Sequence, residues 1–286
     1  MAASKAGAQA APAPRSVGQE APTQSVVAPK AEPSVAIWNR PSVYRLLSLT
    51  VVLAAWQLLG PLIDPIFFTY PSAIAKAFWE MAVSGELLKY TLESLLILLY
   101  GMTLAIGVGI PLGVVMARFR KVDWLLDTYL NALYATPAVA LVPLLVLWFG
   151  IRTEAKVVVV FLFAVFPVLI NTYQGVKKVD PSFVEVARSF RSSEAQMWRD
   201  VLLPWAVPYI TAGIRLAIGR GLVGVIIAEF YTAMSGLGYM IVRYTHVFKM
   251  ERAFVPVILL MFLGITLTAA LKYLERRIAP WNRPED

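Results

Sequence analysis

The sequence predicts an all-α integral membrane protein with about six transmembrane helices. Of its 286 residues, 58% are hydrophobic and only 15% are charged, whereas about a quarter of the residues in an ordinary soluble domain are charged. The apolar residues are gathered into runs, and several runs exceed the roughly 18 residues that a helix needs to cross a bilayer. None of the runs alternates in polarity with a period of two, which excludes the strands of a membrane barrel.

Six runs of apolar residues are expected to span the membrane. They cover residues 44–62, 92–117, 127–149, 156–174, 204–229 and 253–273. The third run contains Pro137 and Pro143, each of which removes a backbone hydrogen bond from a helix. Such breaks are tolerated where a cavity or a neighbouring helix satisfies the freed groups, and they also occur as ordinary kinks of membrane helices. Both interpretations remain open for these two prolines.

The chain is expected to divide into a tail and a membrane domain. Residues 1–37 are rich in Ala, Pro, Ser and Gln and have almost no aromatic side chains. Such a segment cannot bury enough apolar area to offset the entropy lost on ordering it. We therefore expect residues 1–37 to be a disordered tail, without the apolar core of a cleavable signal peptide, and residues 38–286 to be the membrane-spanning domain.

The distribution of Lys and Arg predicts which ends of the spans face the cytoplasm. The loops after the second and fourth spans, together with the C-terminal segment, carry 12 of these residues, and the loops on the opposite side carry seven. Loops rich in positive charge stay on the cytoplasmic side. Both termini and the long loop 180–204 are thus predicted to be cytoplasmic. The net charge of +8 fits this asymmetry, and we expect no nucleic acid partner.

Composition excludes several kinds of chemistry. The chain has no cysteine and a single histidine, His246, so neither a disulfide framework nor a thiolate metal site is expected. It also contains no Gly-Lys pair, and hence no phosphate-binding loop of the Walker A type. We expect no catalytic residue, no metal site and no cofactor on this chain.

The polar stretch between the fourth and fifth spans predicts two short helices. Asp180 and Pro181 form a helix start, because the carboxylate can accept from first-turn amides and proline suits the first helical position. Ser193 and Gln196 have the spacing of a capping box, which begins a second helix. Leu203-Pro204 is expected to end that helix and to open the fifth span. These features alone also fit a simple interfacial connector.

The residue identities in this loop resemble the EAA loop of ABC import permeases. That motif reads E-A-A-x-x-x-G, with I-x-L-P ten residues beyond the glycine, and Glu185, Ala187, Arg191 and Leu203-Pro204 stand at the matching positions. Two positions depart from it, since Val186 replaces an alanine and Arg191 replaces the glycine. If Arg191 adopts the left-handed turn that glycine permits, the cost is on the order of 1 kcal/mol.

The resemblance covers residues 65–280 and points to the nitrate, sulfonate, taurine and bicarbonate branch of these permeases. The similar segments are residues 144–150, 166–173, 179–181, 213–217 and 235–239. Membership of this branch implies the type I ABC importer permease fold (MetI-like). It also implies a non-enzymatic transport subunit in a bacterial inner (cytoplasmic) membrane.

The same resemblance implies partners and site residues. In that family the loop is a coupling helix that docks into a groove of a cytoplasmic ATP-binding subunit, which carries the ATP and the Mg²⁺. The residues expected to form the coupling surface are Glu185, Ala187, Arg191, Leu203 and Pro204. Other implied partners are a periplasmic or lipid-anchored solute-binding protein, a second copy of the permease and membrane lipid. The implied cargo is a small anion of the sulfonate, taurine, nitrate or bicarbonate type.

Two arginines lie well inside the fifth predicted span. A charge in hydrocarbon costs about 2.5–3.5 kcal/mol on insertion scales, so Arg215 and Arg220 should face a partner group or an aqueous cavity. Each could contact an anion in the translocation path or pair with an acidic group such as Glu229. Because they are five residues apart, about 140° around the helix, both are not expected to line one narrow site. Further candidates for the path are Tyr134, Thr136 and Pro137.

Two other classes of membrane protein remain as alternatives. A secondary transporter or channel independent of ATP would show internal repeats and intramembrane acidic residues, for which Glu229, at a span end, is the only candidate. A membrane enzyme would need a cluster of His, Asp or Cys at one depth, which the sequence lacks. Retention of an ATP-hydrolysing subunit through residues 180–204 would separate the importer from both.

Overall fold

The computed structural model describes residues 41–281. The predicted tail, residues 1–37, lies outside this range. The chain divides into two units, residues 1–50 and 51–286. The described part of the first unit is the beginning of a helix whose side chains at 44–50 are exposed. The contacts that build the candidate site lie within the second unit.

Every regular element between residues 41 and 281 is helical, which confirms the all-α class. The helices are α1 Pro41–Leu59, α2 Pro71–Val83, α3 Glu86–Arg118, α4 Arg120–Ala135, α5 Ala138–Phe149, α6 Thr153–Lys177, α7 Pro181–Ser189, α8 Glu194–Met197, α9 Leu203–Thr232, α10 Leu237–His246 and α11 Met250–Ile278. A 3₁₀ turn, Gly60–Leu62, follows α1, and a π turn, Trp198–Leu202, lies between α8 and α9.

Five helical segments are long and apolar enough to cross a membrane. They are Val43–Leu62, Glu86–Arg118, Thr153–Lys177, Glu194–Thr232 and Met250–Ile278. Helices α4 and α5 pass the same test only together, and they meet at an angle of 95°. With this bent pair counted as one span, the described residues contain six spans, as predicted.

The predicted span at residues 127–149 consists of two helices rather than one, and this decides between the two interpretations that the sequence left open for its prolines. Helix α4 ends at Ala135 and α5 begins at Ala138. The proline ring of Pro137 disfavours a helical conformation for the residue before it, and Thr136 is extended at φ −70° and ψ 130°. Pro143 lies inside α5 without interrupting it. Pro137 therefore causes the bend between α4 and α5.

The core of the bundle is α6, which packs between α3 and α9. Val160, Ala164 and Val168 of α6 are fully buried, and they form one apolar cluster with Ala105 of α3 and Ala217 of α9. The small residues on α3 and α9 let the three backbones approach closely. Positions on these helices are therefore fixed relative to one another by side-chain packing.

A second apolar cluster lies where α2, α10 and α11 meet. Its fully or almost fully buried members include Ile74, Met81, Leu237, Met240 and Val255. This cluster attaches the two short helices, α2 and α10, to the beginning of α11.

Ion pairs tie the helix ends together around α7. Arg118 at the end of α3 contacts Glu194 of α8 at 2.9 Å. Lys177 at the end of α6 contacts Asp123 of α4 at 2.8 Å. We call this side of the bundle the α7 end, comprising residues 118–123 and 177–204.

Another set of ion pairs lies at the opposite ends of α3 and α9. Arg243 of α10 contacts Glu86 of α3 at 3.1 Å, and Arg252 of α11 contacts Glu80 of α2 at 2.9 Å. We call this side the α10 end, comprising residues 70–94 and 229–252.

The prediction that Leu203-Pro204 ends the second helix of the loop is wrong. Glu194–Thr232 forms one helical segment of 39 residues. Proline at position 204 has no amide hydrogen to donate, and a π turn precedes it in which the Leu203 amide donates to the Trp198 carbonyl. The widened turn accommodates the proline without ending the helix. Helix α9 is thus continuous with α8.

The closeness of α3 to α6 makes a specific prediction at Gly101. An added Cβ at this position would lie 2.4 Å from Val160 Cγ1, so Gly101→Ala should lower the free energy of unfolding by about 1–3 kcal/mol through overpacking. The melting temperature of the purified protein in detergent measures this effect. The control is Gly107→Ala on the same helix, where no atom lies within 4 Å of the added Cβ. Equal melting temperatures for both variants would contradict the described packing.

Candidate functional site

The loop after α6 begins with the two predicted helix starts. Asp180 Oδ1 accepts a hydrogen bond from the Ser182 amide at 2.9 Å, and this bond lowers the pKa of the exposed Asp180 carboxyl. Pro181 is the first residue of α7. At the start of α8, the Ser193 amide donates to Gln196 Oε1 at 2.8 Å and the Gln196 amide donates to Ser193 Oγ at 3.3 Å. Both caps are confirmed.

Arg191 occupies a left-handed turn at the end of α7. Its backbone φ is +56°. The turn is a Schellman motif, because the Ser192 amide donates to the Ala187 carbonyl at 3.1 Å and the Arg191 amide donates to the Arg188 carbonyl at 2.9 Å. Glycine is the usual residue here, since a Cβ costs about 1 kcal/mol in this conformation. The backbone therefore keeps the geometry of the motif glycine although the residue is arginine.

Helix α7 carries an apolar stripe whose side chains are largely exposed. Phe183, Val186 and Phe190 lie on one side of the helix and are 48%, 55% and 81% exposed. Ala187, which the resemblance implied to be part of the coupling surface, is buried instead. Glu185 is also exposed and makes no ion pair with a described residue. The stripe and Glu185 are accessible to a partner, whereas Ala187 supports the helix from inside.

The end of the predicted motif lies at the beginning of α9. Leu203 is 39% exposed, and Pro204 occupies the first turn of the helix. Trp205 packs against Phe183 with their ring centroids 5.3 Å apart. This aromatic contact is the direct link between α7 and α9.

Arg215 forms an ion pair with Glu275 of α11. The sequence had suggested Glu229 as an acidic partner for an arginine of this span, and that suggestion is wrong. Glu275 lies near the C-terminal end of α11, beyond the last predicted span, which is why sequence reasoning did not consider it. The contact with Glu275 favours a structural role for Arg215.

Arg220 has a different environment. It is exposed on a face of α9 that also carries Leu216, Gly219 and Val223, and it forms no ion pair with a described residue. Its guanidinium lies 5.7 Å from the ring centroid of Tyr134. From Arg220 the end of α9 at Thr232 is about 18 Å away along the helix axis. The charge is therefore near the middle of a membrane-spanning helix.

The candidates on α4 are close to this charge. The ring of Tyr134 packs against Phe166 with centroids 5.8 Å apart, on the side of α6. Thr136 and Pro137 follow at the bend between α4 and α5, where the exposed Thr136 hydroxyl donates to the Ala132 carbonyl at 2.9 Å. The structure thus brings Tyr134 and Arg220 together and leaves Arg215 on the α11 side of the helix.

Glu229 is fully buried in a polar network at the α10 end. Its Oε1 accepts from the Ser94 hydroxyl of α3 at 2.7 Å, and its Oε2 accepts from the Gly238 amide of α10 at 2.7 Å. The Ser94 oxygen in turn accepts from the Leu237 amide at 2.8 Å. At Gly236, whose φ is +99°, an added Cβ would lie 1.9 Å from Glu229 Oε1. The carboxylate therefore holds the start of α10 against α3 and α9.

Lys156 attaches α6 to the same turn. It is 4% exposed, and its ammonium donates to the Ser235 carbonyl at 3.2 Å and to the Ser235 hydroxyl at 2.9 Å. All three core helices thus send a polar side chain to the turn between α9 and α10.

Among the described residues, no group of three or more His, Cys, Asp or Glu side chains could hold a metal ion.

Sequence reasoning missed Ser94 and Lys156. Lys156 stands at the boundary of a predicted span, where a lysine is expected to be a solvated loop charge. The available signal was the segment of residues 235–239, which contains two glycines and follows Glu229 closely. A buried carboxylate next to a glycine-rich turn favours main-chain amides as its hydrogen-bond donors.

Comparison with known proteins identifies relatives over most of the chain. A family described as "Binding-protein-dependent transport system inner membrane component" matches residues 109–280. A Bacillus subtilis (strain 168) protein named as an aliphatic sulfonates transport permease, SsuC, is 33% identical over 83% of this chain and 87% of its own length. The Escherichia coli (strain K12) protein of the same name is 34% identical over 81% and 89%.

Solved structures of the same fold are more distant in sequence. The MetNI methionine ABC transporter in an inward facing conformation has a chain that matches with a TM-score of 0.54 at 18% identity. The match covers 67% of this chain and 95% of that one. The likeness establishes the fold that the sequence predicted, with α3, α6 and α9 at its centre.

The left-handed turn at Arg191 yields a testable prediction. Arg191→Gly should raise the free energy of unfolding by about 1 kcal/mol, because glycine adopts the observed φ without a Cβ clash. Assembly and transport should persist. The matched control is Arg188→Gly, which puts glycine into the helical part of α7 and should lower stability by about 1 kcal/mol. Melting temperatures that fall for both variants would contradict the described geometry of the turn.

Proposed function

The chain belongs to the family of binding-protein-dependent transport system inner membrane components, and from this premise we propose that it forms the membrane path of an ATP-driven importer for small sulfonate-type anions. It is an ABC importer permease of the sulfonate and taurine type and a multi-pass protein of the inner membrane. Two steps of this function can be argued from residues of the chain. One is coupling to a separate ATPase, and the other is passage of the anion between two copies of the permease.

The exposed apolar stripe of α7 is the observation that carries this proposal. Phe183, Val186 and Phe190 are held at the surface by a helix that is capped at both ends. Burial of a large apolar side chain contributes about 1.5–3 kcal/mol, so a groove that covers this stripe would bind it firmly. The partner is a cytoplasmic ATP-binding subunit, which holds the ATP and Mg²⁺. Glu185 and Arg191 add polar contacts at the rim of the stripe.

The helical segment 194–232 would carry the motion of the ATPase into the membrane. Trp205 joins α7 to α9 through Phe183, and Arg118 joins α3 to α8 through Glu194. A displacement of α7 by the ATPase would therefore act on α9 through Trp205, and the α8 part of the same helical segment would pass it to α3 through Arg118. Rigid-body movement of packed helices is a common way in which such displacements reach a distant site.

Arg220 is the residue that we assign to the anion. An unpaired arginine in contact with lipid near the middle of a bilayer costs about 2.5–3.5 kcal/mol on insertion scales, so its face of α9 should line an aqueous path. The forked donors of a guanidinium suit a sulfonate. The named relatives point to aliphatic sulfonates as the solute class. Tyr134 positions the guanidinium.

A second copy of the permease would complete this path. Leu216, Gly219 and Val223 leave the Arg220 face of α9 uncovered within one chain, and a homodimer would place two such faces opposite each other. We place the α7 end in the cytoplasm, as the charge distribution predicts. The α10 end then faces the periplasm, where a solute-binding protein delivers the anion.

The coupling surface is tested by substitution of its most exposed aromatic residue. Phe190→Ala should reduce the affinity of the permease for its ATPase by about tenfold or more, because a large apolar contact is lost. The measurement is the amount of ATPase retained when the permease is purified from membranes. The control is Phe67→Ala, an aromatic residue 73% exposed in the segment between α1 and α2. Full retention by Phe190→Ala would show that α7 is not the docking helix.

The anion path is tested at Arg220. In vesicles that contain the complete transporter, Arg220→Gln should raise the half-saturating concentration or lower the rate of ethanesulfonate uptake at least about tenfold. Arg220→Lys should retain part of the activity, since it keeps the charge but not the fork. Arg199→Gln, at an arginine exposed on the α7 end, serves as the control. Normal uptake by Arg220→Gln would exclude Arg220 from the path.

A further inference from the structure

A charged recess opens at the α10 end, between α2 and the segment that joins α10 to α11. Its volume is about 410 Å³. Its charged lining residues are Lys76, Glu80, Lys249, Glu251 and Arg252. The recess lies beside the second apolar cluster, to which its lining residue Ala77 belongs, at the opposite side of the bundle from α7.

Some of the charged side chains in the recess form ion pairs and others do not. Glu80 and Arg252 form an ion pair at 2.9 Å, and the Arg252 guanidinium also lies 5.8 Å from the ring centroid of Tyr244. These contacts fix one wall. Lys76 and Lys249 are exposed and make no ion pair with a described residue. Glu251 also lines the recess and makes no ion pair with a described residue. The two unpaired ammonium groups outnumber this one unpaired carboxylate, so the recess keeps an excess of positive charge, which suits a carboxylate from outside the chain.

Phe248 stands beside the recess in a strained conformation. Its φ is +55°, at the end of α10, where the Phe248 amide donates to the Thr245 carbonyl at 3.1 Å and the Lys249 amide donates to the Tyr244 carbonyl at 3.0 Å. Glycine is usual at this position of a Schellman motif, and a left-handed residue with a Cβ costs roughly 1–2 kcal/mol. The ring is 60% exposed, so packing within the chain does not compensate this cost.

A strained residue whose side chain faces outward is a reason to look for a function outside the fold. Aromatic side chains beside charged groups are typical of the contacts that dominate protein interfaces. Phe248 does not line the recess, so a small anion bound between the two lysines would not touch it. A folded protein could place a carboxylate in the recess and an apolar pocket over Phe248 at the same time.

We propose that Phe248, Lys249, Lys76 and the recess form a docking contact for the solute-binding protein, with Phe248 as the apolar anchor and a carboxylate of the partner between the two lysines. This proposal rests on the proposed function, and it identifies the surface of the permease on which the second partner of that function, the solute-binding protein, would dock. It also places the partner on α10, whose first residues are held by Glu229 of α9. Docking at this surface and docking at α7 would thus act on opposite ends of one helical segment.

The experiment uses the complete transporter in vesicles, with its solute-binding protein added in increasing amounts. The ATPase rate gives a basal value and a half-saturating concentration of binding protein. Lys76→Glu and Lys249→Glu should each raise that concentration at least about tenfold with an unchanged basal rate. Phe248→Gly should raise it severalfold while increasing the melting temperature, because the strain is removed. Lys89→Glu, an exposed lysine at the same end that does not line the recess, is the matched control.

A purely structural role predicts that Phe248→Gly stabilises the permease and leaves its response to the binding protein unchanged, and that result would overturn the proposal. Half-saturation that is unaltered in the two lysine variants would overturn it as well. If those variants change only reconstitution into vesicles of anionic phospholipid, or only direct binding of ethanesulfonate to the permease, the surface serves a lipid or the solute instead. Absence of any stimulation in the unsubstituted transporter would refute the proposed function itself.

Discussion

The packing of α6 between α3 and α9 is the interaction on which the rest of the structure depends. Fully buried small residues such as Ala105 and Ala217 bring the three backbones together around α6, and this closeness fixes what happens at both ends. At one end the core helices carry the ion pairs that surround α7. At the other they place Ser94, Lys156 and Glu229 within hydrogen-bond reach of a single turn. The loops differ in composition, but their positions follow from this one contact.

The hydrocarbon environment separates structural from functional polar groups. Arg215 and Glu229 have partners within the chain, Glu275 for one and Ser94 with Gly238 for the other. Such groups contribute to the fold, because an unpaired charge or carboxylate in a membrane is costly. Arg220 is exposed near the middle of the same helix, forms no ion pair with a described residue and lies beside the ring of Tyr134. The same physical rule is the basis on which we propose Arg220 for an aqueous path.

Local features were predictable from the sequence, and features that depend on distant contacts were not. The caps at Asp180 and Ser193 are formed by residues two and three positions away, so the spacing in the sequence was enough to predict both helix starts. The sequence left the effect of Pro137 undecided, because a proline in a membrane helix causes either a kink or a break and tertiary contacts decide between them. The continuity of the helix through Pro204 depends on a π turn that no residue type demands. The partner of Arg215, Glu275, is 60 positions away in sequence, and no local pattern connects them.

The central claim is that Glu194–Thr232 acts as one helical rod between the coupling surface and the turn held by Glu229. The chain has no cysteine, so spin labels can be attached at Ala195→Cys, before the π turn, and at Phe230→Cys, in transporters that carry one labelled permease copy. A continuous helix of 1.5 Å rise per residue predicts a distance of about 52 Å between these positions, unchanged to within about 3 Å with and without ATP. A distance that shortens or broadens when ATP binds would show that the helix bends at the π turn and would contradict this account.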